Sequence, residues 1–262
     1  MRRPAWPVLV LALLAAVPAR GAGDVTVALG GRRLVVTGDG ADNAFTVGSG
    51  SGREVVVTGT DGTTVNGGAS VSAPNVRGVR IHAGAGRDTV TVDRLFLPGT
   101  LVVRLGDDDD VLVVEDGAVD GSLFVRAGGG RNDVVVRDVT VAGNVTVRGG
   151  RQGGTITIDT VAFDRFVTLF GGRGRDGITL FNVDNHRGEH VRITTGDGDD
   201  QVLLEVASFD DDVDVDLGDG DDFLVVADVF FDDGAELDGG RGHDDVLIGF
   251  IAADDDVDFD GF

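Results

Sequence analysis

Aspartate dominates the chemistry that this sequence can do. Of 45 acidic residues 40 are Asp and 5 are Glu, a skew that solvation alone does not need, because Glu would serve as well on an exposed face. Asp bonds to its own backbone in tight loops and holds an oxygen close to the main chain, which suits turns and hard cations. The residues recur in a pattern. Gly84-Ala85-Gly86-Arg87-Asp88, Gly196-Asp197-Gly198-Asp199-Asp200 and Gly218-Asp219-Gly220-Asp221-Asp222 all read G-x-G-x-D. Two stretches, GGRGRDGIT from Gly171 and GGRGHDDVL from Gly239, match the longer pattern G-G-x-G-x-D-x-U-x. An earlier copy is Gly38-Asp39-Gly40-Ala41-Asp42. Glycine permits φ > 0 and can turn carbonyls inward, so a cation between two adjacent loops would receive backbone oxygens and carboxylates together. The candidate ligands are Asp88, Asp176, Asp197, Asp199, Asp200, Asp219, Asp221, Asp222, Asp244 and Asp245, and the candidate ion is Ca²⁺.

The elements that must position these loops follow from the repeat. A glycine recurs at Gly84, Gly106, Gly128, Gly150, Gly172, Gly196, Gly218 and Gly240, with every interval 22 except one of 24. Aligned on it, six columns are apolar. Three residues before stand Ile81, Val103, Val125, Val147, Leu169, Ile193, Val215 and Leu237, and six after stand Val90, Leu112, Val134, Ile156, Ile178, Val202, Leu224 and Val246. The columns at five before and eight after behave alike, and those at eleven and thirteen after are looser. Three pairs at i, i+2 imply three short strands per coil, and no helical period is present. Such a unit cannot bury its inner face alone, so coils must stack. The expected fold is all-β: a right-handed parallel β-helix, or β-solenoid, of about eight coils over residues 79–262.

Stacked coils lie about 4.8 Å apart, which would set Asp176, Asp200, Asp222 and Asp244 in one column with Asp199, Asp221 and Asp245 beside them. Like charges that close repel by about 1 kcal/mol in water and several-fold more near a protein surface. Either a cation neutralises them, or these Asp merely end strands while Arg87, Arg173, Arg175 and Arg241 supply counter-charge. Three coils depart from the pattern: Asp108 replaces the second glycine, Asn132 replaces the Asp, and Gln152 with Gly154 erases the motif. The coils at Gly128 and Gly150 are therefore expected to bind nothing, and replacing Asp110 to matter little. The loops resemble the calcium-binding nonapeptide repeats of RTX (hemolysin-type) proteins. The resemblance covers the loops rather than the whole coil, because here one nonapeptide alternates with a 13-residue stretch. It implies calcium bound between successive loops.

Other features bound the function. Residues 1–22 read as a secretory leader, with Arg2 and Arg3, an apolar run from Val8 to Val17 and cleavage after Ala19 or Ala22. The run is too short to span a bilayer, so the mature chain is expected at the cell surface, in the medium or in the periplasm, without membrane insertion. A net charge of −23 repels phosphate backbones and argues against nucleic acid, and the absence of Cys excludes a disulfide scaffold. Residues 23–78 are expected to form a cap with one irregular coil, including a hairpin of Val55–Thr58 with Thr63–Asn66. His186-Arg187-Gly188-Glu189-His190 matches the inverted zinc-peptidase motif H-x-x-E-H, but Gly188 and the register place it in a bulged, non-helical loop. Asp184, His186 and His190 could there hold a stray metal. Arg104, Arg126 and Arg148 form an outward column that either grips an anionic polysaccharide or pairs with nearby acidic loops. The leading functional reading is a secreted, calcium-stabilised structural or adhesive module without catalysis, with calcium ions and cell-surface components such as anionic polysaccharide as partners. Its rival is a polysaccharide lyase or hydrolase.

Overall fold

A computed structural model describes residues 23–185 and 190–262. Alternation of apolar and polar residues makes the chain extended, and the 22-residue period brings each strand beside its copy in the next coil. Two sheets result, of 12 and 13 strands. The first runs through Gly78–Gly84, Leu101–Gly106, Leu123–Gly128, Val145–Gly150, Val167–Arg173, Val191–Asp197, Val213–Asp219 and Ala235–Asp238. The second includes Val111–Val119, Asn132–Val141, Gly154–Phe163, Asp176–Asn185, Gln201–Phe209 and Phe223–Phe231. Neighbours are parallel and in the expected register, with Val103 opposite Ile81 and Val125, and Val147 opposite Val125 and Leu169. The stacked coils form a β-solenoid of about eight turns.

The core lies between the sheets and contains all six predicted columns, from Leu101, Leu112 and Val114 to Phe163, Phe209 and Phe231. A seventh column, one residue before the anchor glycine, also points inward: Ala83, Leu105, Ala127 and Leu217 are fully buried, and Thr195 nearly so. It escaped the sequence pattern because Gly149, Gly171 and Gly239 break its apolar run.

Two expectations change. Across most coils the second and third strands are one continuous strand, bent where a residue takes φ near +50°: Asp116, Asp138, Thr160, Asn182, Val206 and Asp228, each ten residues after its anchor. A single left-handed residue turns the chain while the ladder continues on both sides. The hairpin of Val55–Thr58 with Thr63–Asn66 does not form. Glu54–Gly59 pairs antiparallel with both Ala44–Ser49 and Ser70–Pro74, while Thr64–Val65 crosses to lie parallel to Asp24–Gly30. This buries Val55, Val57 and Val65 over the N-terminal end of the core. The antiparallel strands thereby cap that end.

Candidate metal centre

Each loop leaves the first sheet at the anchor glycine and enters the second four residues later. Glycine is required at the anchor twice over. Gly106 has φ +133, and a Cβ there would lie 1.7 Å from the carbonyl oxygen of Gly84 one coil earlier. In one coil the second glycine is replaced by Asp108, which adopts φ +75, a conformation Asp reaches more readily than most residues. The Gly106 loop thus keeps the shared geometry despite its altered sequence.

That geometry turns the residue four after the anchor inward. Asp88, Asp110, Asn132, Asp176, Asp200 and Asp222 are 1 to 4% exposed. All but Asp176 receive a backbone N–H from the coil before. Asp176 N donates to Asp200 Oδ1 at 2.7 Å, Asp200 N to Asp222 Oδ1 at 2.6 Å and Asp222 N to Asp244 Oδ1 at 2.8 Å. Nearer the N-terminus, Asn43 N donates to Asp88, Asp88 N to Asp110 and Asp110 N to Asn132 Oδ1, each at 2.8 Å. One oxygen of Asp88, Asp110, Asp200, Asp222 and Asp244 is therefore used in holding coil to coil.

The other oxygen is not. Oδ2 of Asp88, Asp110, Asp176, Asp200, Asp222 and Asp244 is buried and has no hydrogen-bond partner. The two amides in the column show what this position asks for. Asn132 Nδ2 donates to the carbonyl of Gly129 in its own loop, and Asn43 Nδ2 donates to the carbonyl of Ala41 at 2.7 Å. Where Asn places a donor against loop carbonyls, Asp places an acceptor, and two acceptors cannot bond without something positive between them. Burial accordingly pushes these carboxyls up from 3.8: Asp110 to about 8, Asp176 to about 7, and Asp88 and Asp222 to about 6. The charge of Asp200 adds to the shift at Asp176, and that of Asp88 to the shift at Asp110. Asp200 is raised as well, again by burial first.

The remaining candidates lie elsewhere. Asp199 and Asp221 form a second, exposed ladder, with Asp221 N donating to Asp199 Oδ1 at 3.2 Å and His243 N to Asp221 Oδ1 at 3.1 Å. Asp197 and Asp219 stand exposed on the rim. Asp245 is not beside Asp244: it begins the strand Asp245–Ile248 on its exposed face, because adjacent strand residues point to opposite sides. Asp110, whose loop departs from the motif and which the motif therefore does not mark, belongs to the column. Its signal was position: it stands four residues after an anchor like every other member. Arginine counter-charge reaches only the rim, as Arg87 to Asp109 at 3.8 Å and Arg241 to Asp219 at 3.9 Å. Among the described residues no arginine forms an ion pair with the buried column, although Arg131 and Arg175 act on Asp176 and Asp200 through space and offset part of the upward shift.

Six buried carboxylate oxygens facing glycine-rich turns fit a hard dication bound by oxygen alone, with carboxylates from the column and carbonyls from the loops. Ca²⁺ suits this set better than Mg²⁺, which needs near-octahedral geometry and keeps its waters. Of the H-x-x-E-H segment, His186, Arg187, Gly188 and Glu189 lie outside the described residues. His190 stacks on Phe166 and sets Nδ1 at 3.4 Å from Asp212 and 3.8 Å from Asp211. Fold and site together define a β-solenoid with an internal ladder of buried carboxylates. Comparison with protein-family models, curated proteins and solved structures finds no match.

Proposed function

We propose that this chain is a secreted, calcium-stabilised β-solenoid serving as a structural or adhesive module at the cell surface, without catalysis. The observation that carries the calcium reading is the contrast within one column: Asn132 completes its hydrogen bonds, whereas its Asp counterparts leave a buried Oδ2 without a partner. An amide alone would have served the fold. Asp at this position suits a protein that meets millimolar calcium outside the cytoplasm, where even weak loops fill. The strongest sites are the spaces between the Asp176, Asp200, Asp222 and Asp244 loops, and Asp88 with Asp110 makes a separate pair, isolated from them by Asn132 and Gly154.

Thermal unfolding tests this. A ligand bound only by the folded state contributes about 2.7 kcal/mol per site at a hundredfold excess over Kd. Calcium should therefore raise Tm by well over ten degrees, and magnesium by little. Asp200→Asn and Asp222→Asn keep the Oδ1 acceptor, so they should fold but lose most of the calcium shift. An undiminished shift in the double variant would refute the assignment.

A further inference from the structure

The outward face of the first sheet changes sign along the solenoid. In the column two residues before the anchor, Arg104, Arg126 and Arg148 stand opposite one another in register, while Asp216 and Asp238 occupy the same column farther on. Sequence reading left two fates for these arginines, and pairing with the acidic loops is not what the structure holds. Arg104, Arg126 and Arg148 are exposed, and none has a carboxylate within ion-pair distance among the described residues. Three guanidinium groups one coil apart, about 4.8 Å in rise, thus repel one another on a chain with 45 acidic residues to choose from.

The surroundings are shaped as well as charged. Arg148 lies over the ring of Phe170, 4.3 Å from its centroid, which ends the ladder and holds that guanidinium in place. Arg126 and Arg148 line a groove of about 670 Å³ together with Arg151, Arg173 and the glycines between them. Alongside the ladder runs a row without charge, Val102, Phe124 and Thr146, in register with it. Phe124 is 40% exposed.

We propose that this ladder and groove bind a linear acidic polysaccharide, lying along the solenoid axis with one carboxylate per coil. Guanidinium forks match carboxylates in geometry and charge. A pyranose chain advances by about one ring per sugar, close to the spacing of the coils, and the apolar face of a ring can rest on Phe124. Nucleic acid fits less well, since its phosphates follow at about 3.4 Å per strand in a duplex. The site ends where the column turns acidic, so it spans three coils rather than the whole length. It goes beyond the calcium reading and does not depend on it.

The test is titration calorimetry of the full chain in calcium with a galacturonate hexamer, its methyl ester and a duplex oligonucleotide of equal charge. The acid hexamer should bind and the ester, which keeps the sugar but loses the charge, should not. Arg126→Ala with Arg148→Ala should weaken binding at least tenfold, while Asp216→Asn leaves it unchanged and the calcium shift in Tm stays intact in both variants. No binding of the hexamer, equal binding by the arginine variant, or tighter binding of the oligonucleotide would each overturn the proposal.

Discussion

At the scale of single residues, the protein depends on what an atom has opposite it. Asp110 and Asn132 differ by one atom and sit in adjacent coils of the same column, yet the amide is satisfied and the carboxylate is not. A proton on Oδ2 would make Asp behave as Asn does, and this is why burial raises Asp110 to about 8 and Asp176 to about 7. The sign of the pH effect follows. A carboxyl whose folded pKa exceeds its unfolded value of about 3.9 binds its proton more tightly when folded. Ionising it therefore costs stability, and the metal-free protein should lose stability as pH rises from about 4 through about 8. On the proposed calcium reading the ion takes the proton's place, so calcium should cancel the loss and release protons on binding. Melting curves between pH 5 and 8, in chelator and in calcium, check this: a chelated protein with a flat profile would show that the column carries no buried charge.

At the scale of the strand, one position per coil is under strain. The bend ten residues after each anchor requires φ near +50°, and most coils place a tolerant residue there, such as Asp116, Asp138, Asn182 or Asp228. Val206 and Thr160 are β-branched, the residue type least suited to that region. In the Thr160 coil a hydrogen bond from Asn182 Nδ2 to Thr160 Oγ1, at 3.1 Å, compensates. Val206 has a hydrocarbon side chain, 43% exposed, and nothing comparable. A left-handed conformation costs an ordinary residue about 1–2 kcal/mol, so Val206→Asn should stabilise by about 1 kcal/mol. Denaturant unfolding measures this, and a destabilised variant would mean that Val206 is held by contacts the bend does not explain.

At the scale of the molecule, each coil is stabilised by its two neighbours, so position along the axis sets what a core side chain contributes. Leu169 lies in a middle coil and is fully buried, whereas Phe259, in the same column at the C-terminal end, is 37% exposed. Leu169→Ala should cost about 2–5 kcal/mol through lost burial and the cavity left behind. Phe259→Ala should cost far less despite removing more atoms. Equal losses in urea unfolding would contradict the stacking picture. The strand Val257–Asp260 alternates Val257 and Phe259 with Asp258 and Asp260, and charge of this kind on a strand discourages pairing with another chain.

Most of the fold was legible in the sequence because it is written eight times. A column repeated in every coil averages out local exceptions, so the parallel register, the inward columns and the loop positions could be read from spacing alone. Features that occur once, or that involve a contact between coils, could not. The cap is a single event, and whether Thr64–Val65 pairs with its sequence neighbour or crosses to Asp24–Gly30 depends on which choice covers Val55, Val57 and Val65. The bend at Val206 carries no mark in its side chain. The motif marks the loops but does not say which of their acids are buried: Asp199, Asp221 and Asp245 look as good as Asp200, Asp222 and Asp244 in sequence, and Asp110 looks worse. Neighbouring residues differ in type by little and in direction by half a turn of the chain. Only the stacked coils decide which carboxylate is buried against carbonyls and which is left in water, because burial belongs to the assembly of coils and not to the residue.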